Sequence, residues 1–116
     1  MTFPPEFGAF TKPTLIAVSD SVQAKLYLAK DREIDPLETL EAAPGENFFE
    51  RLSEVLKGKL DEGIFVRLAL AVPEDMKEEL EDSLHIALLK VTDVLLPKLL
   101  TNTEPVDIAG EVLDAI

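Results

Sequence analysis

The chain has 116 residues, 23 of them acidic against 11 basic, for a formal net charge of −12, and 47% of it is apolar. That length suits one domain, and the apolar share is enough to bury a core and argues against disorder. With no Cys and a single His, disulfides, thiol chemistry and metal sites built from Cys or His clusters are excluded, and the acidic balance leaves little positive field to attract a phosphate backbone.

Residues 1–13 read as an N-terminal arm ahead of a single α/β domain over 14–116. Pro4, Pro5 and Pro13 interrupt the arm and Gly8 loosens it. Phe3, Phe7 and Phe10 are three of the six Phe in the chain, and rings of that size are costly to leave in water. Either they fold back onto their own domain, or they are the candidate subunit contact of a homo-oligomer. The first ten residues, MTFPPEFGAF, have no Lys, Arg or apolar run, so no signal peptide is expected. His85, Lys90, Asp93, Pro97 and Lys98 interrupt the apolar region 84–100, so no membrane span is expected. A cytoplasmic protein follows as the default expectation.

Thr14–Val18 (TLIAV) predicts a buried central strand. After the Ser19-Asp20-Ser21 turn, Val22–Leu28 alternates apolar and polar residues, the pattern of a half-buried strand. Ile34–Ala42 predicts a third strand, placed at a sheet edge because Pro36 lacks a ladder donor. The short spacings make these three an antiparallel meander. Pro44-Gly45 breaks the chain. Asn47 followed by Glu50 then signals a capped helix start, with Phe48, Phe49, Leu52, Val55, Leu56 and Leu60 on one face. Gly63 is the residue just past the helix end. Gly58 sits inside the helix, where its missing Cβ suits a close approach to the sheet.

Ile64–Val72 (IFVRLALAV) is almost continuously apolar and predicts a strand covered on both faces. Pro73 with the acidic residues after it predicts a helix, with Met76, Leu80, Leu84 and Leu88 in its apolar stripe and its end near Lys90. Val91–Leu100 is consistent with a strand or a buried helix by periodicity; Pro97 favours a strand at the far edge. Thr103 is placed as the cap of a last helix, with Pro105 in its first turn. The order β-β-β-α-β-α-β-α implies an α/β fold: a five-stranded mixed sheet in the order 3-2-1-4-5, an antiparallel meander joined to parallel βαβ units, with three helices. This layout is similar to the RNase H-like class.

Three segments taken together carry a resemblance. They are TLIAVSDSVQAKLYLAKDREIDPLETLEA (14–42), FFERLSEVLKGKLDEGIFVRLALAVPEDM (48–76) and LPKLLTNTEPVDIAGEVL (96–113). In that order they resemble the bacterial host attachment protein family, which is similar to the middle domain of archaeal and eukaryotic peptide chain release factors. Such release factors carry a Gly-Gly-Gln loop that acts at the peptidyl-transferase centre. This chain has no Gly-Gly pair, and its only Gln is Gln23, so the resemblance implies a fold without peptidyl-tRNA hydrolase activity.

Candidate chemistry is sparse. A two-metal nuclease needs carboxylates projecting from central strands, and TLIAV and IFVRLALAV contain none; Asp20 is the one acid next to them, and it also suits a hairpin turn. The run Glu74, Asp75, Glu78, Glu79, Glu81 and Asp82 lacks calcium-loop spacing and reads as a solvated helix face, as Asp31, Glu33, Asp35, Glu38 and Glu41 read as a solvated strand. His85 stands alone, without a Gly-x-Ser-x-Gly elbow or a second ligand. No phosphate loop is present. The expectations are therefore no catalytic, cofactor-binding or metal residues, no cofactor, no membrane and no direct nucleic acid. The leading expectation is a non-catalytic protein-interaction module that self-associates or binds a protein partner. The alternative is a translation-associated, ribosome-binding factor. A metal hydrolase built on Asp20 ranks last.

Overall fold

The central strand β1 (Phe10–Ser19) takes its place because every side chain from Leu15 to Val18 is buried, so both of its faces must be covered. The computed structural model describes residues 1–116. β1 pairs antiparallel with β2 (Gln23–Asp31), which pairs antiparallel with β3 (Glu33–Glu41). On its other side β1 pairs parallel with β4 (Arg67–Ala71), and β4 pairs parallel with β5 (Thr92–Leu96). The sheet order is β3-β2-β1-β4-β5, as the spacing of apolar runs predicted, and residues 91–100 do contain the far-edge strand.

Two apolar clusters lie on opposite faces of this sheet. One joins Leu15, Leu26, Leu68 and Leu70 to helix α1 (Phe48–Asp61), helix α2 (Lys77–Ser83) and helix α3 (Ile86–Val91) through Phe49, Leu52, Leu56, Leu80 and Leu88. The other joins Ile16, Val18, Ala69, Ala71 and Val94 to helix α4 (Pro105–Ala115) through Ile108, Ala109 and Val112. Strand alternation sorts the two sets.

Four helices stand where three were expected, because the segment after Pro73 is not one helix. A short 3-10 turn (Glu74–Met76) leads into α2, and the chain is extended at Leu84 and His85 before α3 begins. Ser83 Oγ donates to Glu79 O at 2.9 Å, and the Ala87 N–H donates to His85 Nδ1 at 3.0 Å. Such side chains compete with the helical ladder and favour helix ends. The break still lets Leu80, Leu84 and Leu88 all reach the sheet.

Three local expectations are corrected. β4 is shorter than Ile64–Val72: the Ile64 N–H still bonds to Lys59 O of the helix end, and the ladder with β1 begins at Arg67, with Val66 exposed just ahead of it. Helix α4 is preceded by Glu104, not Thr103, and has no side-chain cap; Pro105 supplies the pre-set first turn. Gly58 makes no close approach, since an added Cβ would meet nothing within 4 Å. Gly58→Ala is therefore expected to stabilise the protein by about 0.5–1 kcal/mol in urea unfolding. The other end signals hold: the Glu50 N–H donates to Asn47 Oδ1 at 3.3 Å, and Gly63 has φ +76°, the left-handed conformation that closes a helix.

Candidate functional site

The arm is shorter than residues 1–13: residues 1–9 lie against the sheet, and from Phe10 the chain is already β1. Phe3 and Phe10 are 1% and 0% exposed and belong to the α4-side core, with Phe7 half-buried beside them. The Phe3 ring meets Phe10 edge-on at 5.8 Å and stacks on Phe7 at 6.2 Å. A Cβ added at Gly110 would lie 3.1 Å from Phe7 Cε2, so that glycine lets the Phe7 ring seat on α4. These contacts match the fold-back position, and as they stand Phe3 and Phe10 present no ring surface to a second subunit.

Asp20 is committed to its turn. Its Oδ1 accepts from the Val22 N–H at 2.8 Å and the Gln23 N–H at 2.9 Å, the local bonding that makes Asp a turn residue. No three His, Asp or Glu side chains are grouped as a metal site would need. His85 caps α3 through Nδ1, and its backbone N–H, not its ring, meets the buried Ser53 Oγ at 2.9 Å. The two are therefore joined as a helix-to-loop tie, and the ring nitrogen that accepts is already occupied. Glu74, Asp75, Glu78, Glu79 and Asp82 are all exposed.

One carboxylate and one phenol depart from their ordinary values. The Glu46 carboxyl is held below its ordinary 4.5 by the Ala43 N–H, then by Arg51, whose Nη1 lies 2.6 Å from Oε1. A lowered carboxyl favours the fold above pH 4.5, and that contribution is lost as pH falls through the folded value. Glu46→Gln is expected to flatten the acid limb of the stability profile, read as the urea midpoint between about pH 3 and 5. Burial, then the Glu104 carboxylate, pushes the Tyr27 phenol above 10.0.

Arg67 is the charged residue that the apolar run IFVRLALAV carries into the sheet. It is 9% exposed, and its Nε lies 3.1 Å from Asp93 Oδ2 without hydrogen-bond alignment. The Asp93 side chain is 52% exposed, so solvent screens part of the attraction. Asp93→Ala strands a buried cation and is expected to cost about 1–3 kcal/mol, whereas Arg67→Met is expected to change stability by less than about 1 kcal/mol. Thermal unfolding of both variants checks this asymmetry.

The two sheet edges differ. At β3 the first residues add a further short pairing: the Phe3 N–H donates to Arg32 O at 2.9 Å, and the Ile34 N–H donates to Met1 O at 2.8 Å. Pro36 offers no donor, and Arg51 Nη1 donates to Glu41 O at 2.8 Å. At β5 no strand lies outside. Beside it, Leu84, Leu89, Thr92 and Leu95, with the carboxylates Glu81 and Asp93, line a groove of about 280 Å³, and Ile86 and Leu89 on α3 are 65% and 42% exposed. From Leu84 to Thr103 the chain carries only Lys90, Asp93 and Lys98 as charges, against −12 for the whole. This apolar, charge-poor margin is the candidate functional site. Sequence reasoning placed the edge strand there but not the α3 flank, because it read one continuous helix to near Lys90 whose apolar stripe left out Ile86 and Leu89.

No protein-family model matches the chain, and no curated protein matches it. Solved structures do. One, described as an archaeal protein, is 20% identical with a TM-score of 0.58, over 87% of this chain and 36% of that one. Another, the crystal structure of archaeal translation termination factor aRF1, is 20% identical with a TM-score of 0.56, over 88% of this chain and 38% of that one. At this identity the likeness is one of fold, and the chain spans little more than a third of the length of either structure.

Proposed function

We propose that the chain is a non-catalytic protein-interaction module that associates with copies of itself. The observation that supports this reading is the apolar β5–α3 margin on an otherwise strongly acidic surface. A chain of charge −12 repels its own copies, and two copies meet at least electrostatic cost where carboxylates are scarce. Light scattering across a wide concentration range is the test. The expected result is a mass above one chain at high concentration, and a strict monomer overturns the reading. Association is expected to strengthen with salt, because raising ionic strength from about 0.01 to about 0.15 M shortens the screening length from about 30 to about 8 Å.

A second reading rests on the fold shared with aRF1 and on the resemblance to host attachment proteins. It makes the chain a cytoplasmic, translation-associated factor without peptidyl-tRNA hydrolase activity, since no Gly-Gly-Gln loop is present. A basic ribosomal protein is then the suitable contact for so acidic a chain. Co-sedimentation with ribosomes at low salt that is lost at high salt supports it, and absence from ribosomal fractions at low salt removes it.

A further inference from the structure

We infer that the outer edge of β5 pairs with β5 of a second copy across a two-fold axis at Leu95, joining two sheets into one. The inference rests on the self-association reading and names its surface. The backbone directs the pairing. Leu96 O accepts from the Val72 N–H, and Val94 pairs with Ala69, so these residues turn towards β4. Leu95, between them, turns its N–H and C=O outward, where no strand lies. An open strand edge templates another strand, and a two-fold axis makes the contact self-complementary.

The register suits the side chains. With Leu95 opposite its own copy, Val94 comes opposite Leu96 and Asp93 opposite Pro97, whose carbonyl can accept although it has no N–H to give, so no two carboxylates face each other across the pair. Lys98, beyond the strand, stays with Glu111 at 2.6 Å. Each Asp93 keeps its own Arg67. A two-fold axis perpendicular to the sheet leaves both α3 helices on the same face. α3 touches β4, and its Leu89 lines the groove along β5. Strands spaced about 4.8 Å apart then set the two α3 helices on the order of 10 Å apart, an ordinary helix-packing distance. Ile86 and Leu89, one helical turn apart on α3, would cover their copies. Glu81 and Asp93 are the carboxylates that line this groove.

The opposite edge is unsuited to the same pairing. Residues 1–3 and Arg51 already occupy backbone groups along that edge. Glu33, Asp35, Glu38 and Glu41 would also bring like charges together.

The test uses the absence of cysteine. Leu95→Cys supplies a single thiol per chain, placed opposite its copy at a hydrogen-bonded pair, where Cα atoms lie about 5.5 Å apart, within disulfide range. Mild oxidation is expected to give a covalent dimer of Leu95→Cys and none of Leu37→Cys, a control thiol on β3. Ile86→Lys combined with Leu89→Lys, both at exposed positions, is expected to raise the dissociation constant at least about tenfold with an unchanged circular dichroism spectrum. A wild type that associates while Leu95→Cys fails to cross-link, or while Leu37→Cys cross-links equally well, overturns the inference and leaves self-association standing. A wild type that stays monomeric at every concentration overturns both; the open edge is then left to a strand of another protein.

Discussion

Phe10→Ala is expected to destabilise the protein by about 3–5 kcal/mol in urea unfolding. The ring is fully buried and meets Phe3 edge-on at 5.8 Å. Truncation removes its transfer energy, leaves a cavity that the sheet can only partly close, and loses the aromatic pair. The size of the loss should be the same at low and high protein concentration, because the ring packs within its own chain. A loss that disappears at low concentration would return Phe10 to a subunit interface.

Leu52→Ala is expected to cost about 2–5 kcal/mol. Leu52 is fully buried where α1 lies on the sheet, in the cluster that also holds Leu15, Leu68 and Leu70. Phe10 and Leu52 belong to different clusters, one on each face of the sheet. They share no partner, so the double variant should lose the sum of the two within about 0.5 kcal/mol. Both single variants should unfold in one transition, since β1 lends Leu15 to one cluster and Ile16 to the other; a second transition would mean that the two faces unfold separately.

Much of this was legible in the residues. TLIAV reads as a central strand because continuous apolar character has no other use in so short a run. Pro36 marks an edge because a missing N–H is tolerated there, and Pro97 stands just past β5, where the strand ends. Asn47 and Gly63 bracket α1 because each satisfies helix-end groups that the ladder leaves open. The candidate site was legible only in part. Val91–Leu100 was consistent with a strand, but the extended stretch at Leu84–His85 is also held by a Ser53 hydroxyl 32 residues away, and no local pattern reports such a tie.

By itself the sequence determined the strand order, the two ends of α1, the acidic balance and the lack of thiol chemistry, all of which follow from local periodicity, backbone chemistry and charge. Only the tertiary structure decided that Phe3 and Phe10 belong to the core, that Gly58 touches nothing, and that one sheet edge is closed while the other is open. Those outcomes depend on which distant segments meet: the Met1–Phe3 backbone on β3, α4 under Phe7, and α3 beside β5. Apolar residues record that they will be buried, but not against what, because the hydrophobic effect is non-directional.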